Sequence, residues 1–529
     1  MADQRNEILE RGSYFPGDWV RPRYNPGTWM AMVDVMEIFT GHRSVTSDGR
    51  YEMFDGPLGV QLRVEEANKS ETFLTAEKEW ETGHFGPSHV WNEDGRLHML
   101  YSAGDRTCYA VSDDGYNWER PVLGQAEFNG STDNNILKTP IPGSIFEDPS
   151  AAPAERYKAL ESEGYWRDRA SHKEVDAGEA DTCWRAEQYE GQAYSGRKVD
   201  LKGRMWGWTS PDRFTWTKLD EPLANYSVNG GMSPGYDTHN ETYFAFIQPQ
   251  GCDPIEPISL GTSIPETEVV RRAVGITRTK DFKTWPAAKL LIHPDAQDPL
   301  DISFYGACYF TYPGRQELHG MVLPVFHQVS DTVDLQIAFS RDGIVWTRPE
   351  RNPVASVGPK GSGEEAQLHV WRNGLVELPD GNWAVPYHGH SILHTVDDDE
   401  VRSSLFPDAG PMQNRWARWR QHRFCGVEAE TEGSFTIPTV YRRENELRLN
   451  YRCAPGGWIS IELLPLIPTM LAPDANPLKG YSFAECDRLT GDEADQVVTW
   501  KGNSDISKVG EMAAIRVRMF QAKLFAYKL

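Results

Sequence analysis

At 529 residues the chain exceeds what one ordinary core accommodates, so its length asks for two to four domains or one large propeller with an appendage. Its 54 basic and 77 acidic side chains leave a net charge of −23, a field that repels phosphate backbones and anionic membranes and argues against either as a partner. Hydrophobic residues at 39% supply ample core, while 18 Trp, 21 Tyr and 21 Phe supply rings that fill gaps between sheets or stack on the apolar faces of sugars.

The chain starts polar, Met1-Ala2-Asp3-Gln4-Arg5, and no stretch approaches 18 apolar residues, so a soluble, cytoplasmic protein is expected. Residues 1–75 carry no clear period and are expected to wrap one of the two units that follow. From residue 80 a repeat takes over: Ser112-Asp113-Asp114-Gly115-Tyr116-Asn117-Trp118, then Ser210 to Trp216, Thr279 to Trp285 and Ser340 to Trp346. All four read as a hydroxyl residue, any residue, Asp, three residues, Trp. The successive tryptophans are 98, 69 and 61 residues apart, which is blade-sized once loop insertions are allowed. The Asp is expected to accept backbone N–H groups in a turn, and the Trp to open the next strand and plug the gap between sheets.

Alternating segments such as 96–101 and 334–339, with turns at Asp94-Gly95 and Asp380-Gly381, predict antiparallel meanders. The blades fall near 80–121, 134–222, 226–290 and 299–349. A fifth near 362–440 lacks the box, with strands at 370–378, 383–388 and about 424–430. The best helical segment is 400–405, a short one. Alternation at 447–451, 458–463 and 515–519 then predicts a two-faced sheet. The expected fold class is all-β: a wrapping segment over 1–75, a five-bladed β-propeller over 76–433 and a C-terminal β-sandwich over 434–529. Seven cysteines at least 28 residues apart, with no CxxC pair, indicate neither a zinc cage nor a disulfide framework, and no cofactor is expected.

Residues 80–529 resemble the five-bladed propeller glycosidases of glycoside hydrolase families 32 and 43. The carriers are Tyr109 to Gly115 with Trp118 and Pro121, Asn129-Gly130 with Asn134-Asn135-Ile136, Phe146-Glu147-Asp148-Pro149 with Glu155-Arg156-Tyr157-Lys158, and Ala338 to Gly343 with Trp346, Arg348 and Pro349. The run Val497 to Gly502 is similar to the sandwich appended to family 32 enzymes. The resemblance implies architecture. The family 32 string Trp-Met-Asn-Asp-Pro-Asn-Gly is absent, its Arg-Asp-Pro stands as Glu147-Asp148-Pro149, and its Glu-Cys occurs only as Glu485-Cys486 in the sandwich. Fructosidase activity is therefore not carried over.

In a propeller the inner strands converge, so polar residues remote in sequence meet at one pocket. Glycosidic cleavage by paired carboxylates needs a protonated acid and an ionised base or nucleophile. Asp148 is the expected base or nucleophile, Glu365 or Glu81 the acid, and Asp237 a positioning group. Sugar hydroxyls are expected to meet His84, Asp301, Tyr305, Glu364, His369, His388 and His390. His388 and His390 share a strand face, and a metal there would need His84 or Asp301 as further ligands. Trp416 and Arg418, in the basic tract 415–423, suit a carboxylated or sulfated sugar. The expected activity is a glycosidase on a small carbohydrate or oligosaccharide. The rivals are a lyase or metal-assisted enzyme using the axial His and Tyr, and a non-catalytic glycan binder.

Overall fold

The computed structural model describes residues 27–529 apart from 46–47, 142, 169–172, 176–198, 226–231, 239, 249–271, 371–372, 395, 397–411 and 466–475. The helix expected near 400–405 lies outside the described residues. Among those described, regular structure is strand apart from single 3-10 turns such as Val35–Glu37 and Pro153–Glu155, and no helix is long and apolar enough to cross a membrane.

Five antiparallel meanders follow one another. Blade one is Phe85–Glu93, Arg96–Ala103 and Arg106–Ser112, and blade two is Ser144–Glu147, Tyr157–Asp168, Val199–Ser210 and Thr217–Lys218. Blade three is Ser233–Asp237, Thr242–Ile247, Val274–Thr279 and Lys289–Ile292. Blade four has a broken inner edge, Ile302–Phe304 and Cys308–Tyr312, followed by Arg315–His327, Thr332–Ser340 and Trp346–Thr347. Blade five has Gln367–Val370 and Val376–Glu377 inside, then Asn382–His390 and Gln413–Arg420. Its outermost strand comes from the other end of the chain: Asn68–Lys69 pairs with Gln413–Arg420, Lys69 opposite Ala417. The last blade is thus completed by the wrapping segment, which ties the ring closed.

Five apolar clusters, one between each neighbouring pair of blades, show that the ring closes. Trp91, Tyr157 and Trp216 join blades one and two; Phe146, Ala245 and Trp285 join two and three; Phe246, Phe304 and Met321 join three and four. Phe310, Leu335, Leu368 and Trp383 join four and five. Met99, Tyr101, Leu378 and Trp416 return from five to one. Each buried ring of this size is worth about 1.5–3 kcal/mol of transfer free energy, and between blades four and five a parallel backbone pair, Val333 with Gln367, adds to the side-chain packing.

The boxes act as their chemistry predicts. Asp114 Oδ1 accepts from Tyr116 N at 2.7 Å and Asn117 N at 2.8 Å, and Asp212 and Asp342 repeat the pair at 2.7–2.8 Å. The residue after each Asp has positive φ: Gly115 at 82°, Arg213 at 68°, Phe282 at 57° and Gly343 at 67°. That left-handed step turns the chain so the Trp swings back, its indole N–H reaching the same residue's carbonyl at 3.2 Å in blade one and 2.8 Å in blade two. Burial alone would raise the Asp114 carboxyl, but the Asn117 and Tyr116 donors hold it down at about 2.

The third strand of blade five is the correction to the sequence reading. It is Gln413–Arg420 and not 424–430: Asn414, Trp416, Ala417 and Trp419 turn inward, and the intervening arginines disguise the alternation. Cys425–Tyr441 instead pairs with Met512–Lys528, so the C-terminal unit starts near residue 425 rather than 434. Three 17-residue strands, Cys425–Tyr441, Arg448–Leu464 and Met512–Lys528, dominate its sheet. Register breaks such as Ala429/Glu432 and Cys453/Trp458 bend them. The bent sheet, capped by the segment bearing Leu489 and Trp500, encloses Ile459, Ile461 and Val517 as a sandwich core. The wrapping segment serves both units: Met30–Ala31 pairs with Met512–Lys528, and Asp34 and Glu37 bind Arg341 of the fourth box, each at 2.7 Å.

Candidate functional site

The two ends of the inner strands are unlike. At the end where they begin, side chains from three blades converge. His84 precedes Phe85–Glu93, and Tyr305 follows Ile302–Phe304. His369 lies in Gln367–Val370 opposite His388, and Gln367 lies opposite His390, so the H-x-H pair reaches the same end by antiparallel return. The rings touch. His369 stacks on His388 at 5.3 Å, His388 meets His84 at 6.3 Å and His390 at 5.1 Å, and Tyr305 lies 6.3 Å from His369. His84 is exposed and the others are half-buried, so a ligand can reach them.

Two further members carry no sequence signal of their own. His394, four residues past the H-x-H pair, sits 4.7 Å from Tyr305 and 4.8 Å from Phe326. The Arg272 guanidinium lies over the Tyr305 ring at 4.3 Å. Although His84 keeps exposed surface, the neighbours packed around its ring strip it of part of its water and hold the imidazole below its ordinary value, hence neutral near pH 7. Burial pushes the Tyr305 hydroxyl up, with Arg272 opposing and Asp331 assisting. The cluster thus offers a neutral base and an O–H donor.

Glu365 is the predicted carboxylate that reaches this end. It lies one turn before Gln367–Val370, accepts from Gly361 N at 3.1 Å and bonds to Ser391, the neighbour of His390. Its Oε2 is buried with no hydrogen-bond partner. Burial would raise its carboxyl, but the N–H groups of Glu365, Gly361 and Gly363 and the Ser391 hydroxyl hold it below 4.5. Asp301 lies at the same end and spends Oδ2 on Val329 N at 3.2 Å, fastening a turn.

The remaining predicted residues lie elsewhere. Asp148, wholly buried, follows Ser144–Glu147 at the far end, where it takes Lys158 Nζ at 2.8 Å, Tyr243 OH at 2.5 Å and Ser150 Oγ at 2.6 Å. Asp237 also ends its strand and binds Asn240 N at 3.0 Å. Glu81 is buried against Arg120 and Tyr101, each at 2.6 Å. Glu364, adjacent to Glu365 but facing inward, pairs with Lys69 at 2.5 Å and Tyr387 OH at 2.7 Å. Trp416 has no exposed surface, stacks on Phe73 at 4.4 Å and donates to Gly115 O at 2.9 Å. Arg418 donates to Tyr116 OH at 2.6 Å and Asn68 Oδ1 at 2.7 Å. Among the described residues no group of three or more His, Cys, Asp or Glu is arranged to hold a metal ion.

No family model and no curated protein matches the chain. Among solved structures it is similar to a glycoside hydrolase at 15% identity, over 67% of this chain and 92% of that one, with a TM-score of 0.38. A thermostable family-43 glycoside hydrolase aligns at 11% identity over 65% and 88%, TM-score 0.35. A Bombyx mori family-32 β-fructofuranosidase aligns at 9% identity over 90% and 94%, TM-score 0.35. Likeness at this level fixes neither a reaction nor a site.

Proposed function

We propose that this protein is a carbohydrate-active enzyme that cleaves a glycosidic bond at the His-lined end of the propeller channel. The observation that carries the reading is the meeting of His84, Tyr305, His369, His388 and His390 from three blades, with Glu365 beside them. Neutral imidazoles and a phenol bind sugar hydroxyls and exchange protons with them, and an ionised carboxylate attacks the anomeric carbon or activates water. Hydrolysis is the first reading: Glu365 is the base or nucleophile, and Tyr305 delivers the proton to the leaving oxygen. Asp148 and Glu81 are held by cations and Asp237 stands at the other end of its inner strand, so Glu365 works with Tyr305 rather than with any of these carboxylates.

Arg272 beside Tyr305 favours a second reading, β-elimination from a carboxylated sugar. There a neutral His takes the proton next to the sugar carboxylate, the C–O bond breaks, and the oxygen leaves with a proton from Tyr305. A panel of aryl glycosides, neutral oligosaccharides and uronides separates the two. Hydrolysis releases a reducing end without ultraviolet absorbance, whereas elimination creates an absorbing unsaturated sugar. Glu365→Gln is expected to lower hydrolytic turnover by about 10²–10⁴-fold. Turnover that survives both Glu365→Gln and His388→Ala refutes the site.

A further inference from the structure

We propose that the cleft between blades three and four is a second binding site, for one neutral sugar ring. It lies at the end of the inner strands away from the histidines and goes beyond the activity proposed above. The cleft is half-open to solvent and offers about 200 Å³, which is room for a single ring.

Its lining divides as a sugar does, into apolar faces and hydrogen-bonding edges. Tyr309 stacks on Phe246 at 4.9 Å with ring planes 29° apart, and Tyr236 also lines the cleft, so the lining includes two phenol rings. Arg278, Gln316 and Thr311 supply donors, and Asp237 supplies an acceptor. Arg278 is half-buried, donates to Gly343 O at 3.2 Å and lines the cleft. Tyr309 OH is within 2.8 Å of His319 Nδ1 and 3.2 Å of Thr311 Oγ1, a fixed hydroxyl chain along one edge.

Charge selects a neutral ligand. One guanidinium faces the carboxylates of Asp237 and Asp342, and His319 is held neutral by burial, with Arg278 lowering it further against Asp237 and Asp342. The local sum is therefore negative, in a chain of net charge −23, and an anion meets repulsion. Asp237 and Asp342 are each already fastened by backbone N–H groups in their own turns, so they present fixed acceptors and need no rearrangement.

The test is a titration with the methyl glycosides of glucose, galactose and mannose, followed by ligand-observed NMR, with glucuronate as the anionic arm. It is run on the wild-type chain and on His388→Ala, which disables the histidine end. Thr311→Trp, made from an exposed strand position, fills the cleft without disturbing the core, and Arg278→Ala removes the donor. Binding of a neutral glycoside that persists in His388→Ala and falls at least about tenfold with Thr311→Trp and Arg278→Ala supports the site. Turnover of any substrate found for the histidine end should be unchanged by Thr311→Trp. Absence of neutral-glycoside binding in His388→Ala overturns the proposal, as does tighter binding of glucuronate or indifference to Thr311→Trp.

Discussion

Asp148→Ala is expected to cost stability first and activity only through it. The carboxylate is fully buried and bonded to Lys158, Ser150 and Tyr243, so its removal strands the Lys158 ammonium, itself 3% exposed. Breaking a buried pair from one side costs about 3–5 kcal/mol, whereas replacing both partners by apolar groups of similar volume is often neutral. At about 2.1 cal/mol/K per residue, 529 residues unfolding as one unit carry an entropy of about 1.1 kcal/mol/K. Asp148→Ala should therefore lower Tm by about 3–5 °C, and Asp148→Leu with Lys158→Met by much less. The carboxyl is held below its ordinary 3.8 by Lys158, Ser150 and Tyr243 against burial, so its stabilisation is complete above that value and fades as pH falls through the lower folded one. Differential scanning calorimetry of the wild type and the two variants across pH 3–7 makes the measurement. If Asp148→Ala melts like the wild type yet abolishes turnover, the buried pair is not what the carboxylate is for, and the reasoning fails.

Three further outcomes are expected. His327 should titrate above 6.5, because Asp334 at 3.0 Å bonds its ring against burial; Asp334→Asn should bring the NMR midpoint down. The stability it confers is full below the unfolded value and is lost as pH rises through the folded one. His89 and His422, pushed down to about 3 and about 4 by burial, should show no NMR titration between pH 5 and 8. Trp416→Ala should destabilise by about 3–5 kcal/mol in urea unfolding, since it empties the junction of blades five and one. A variant that unfolds like the wild type would contradict that placement.

What the sequence disclosed follows the range of the interaction. The boxes were legible because every bond in them spans two or three residues, from Asp114 to Tyr116 and Asn117, and four copies repeat one another. The closing strand Asn68–Lys69 was not, because two residues carry no period and its partner lies some 350 positions on. The strand Gln413–Arg420 hid for another reason: its arginines bind Asn68, Tyr116 and Asp492, so a half-buried strand reads as a basic loop. At the candidate site, the common strand face of His388 and His390 was legible from their spacing. His394 and Arg272 lie outside the paired parts of their strands, where no periodicity points.

The acidic residues explain why the two ends of the channel differ. Asp148 and Asp237 follow or end inner strands, where the chain must reverse, and a short carboxylate there captures donors in its own turn. Glu365 stands instead ahead of an inner strand, held ionised by N–H dipoles rather than by a cation. A base of that kind leaves its mark on the pH profile of kcat/KM, which reports the free enzyme. With Glu365 as base, activity should persist down through pH 4.5 before it falls, and the alkaline limb should lie above 10, where burial has moved the Tyr305 hydroxyl. With His84 as base, the acid limb should lie below 6.5 and vanish in His84→Ala. If the acid limb lies above 6.5, neither group is the base, since the surroundings of both lower their values.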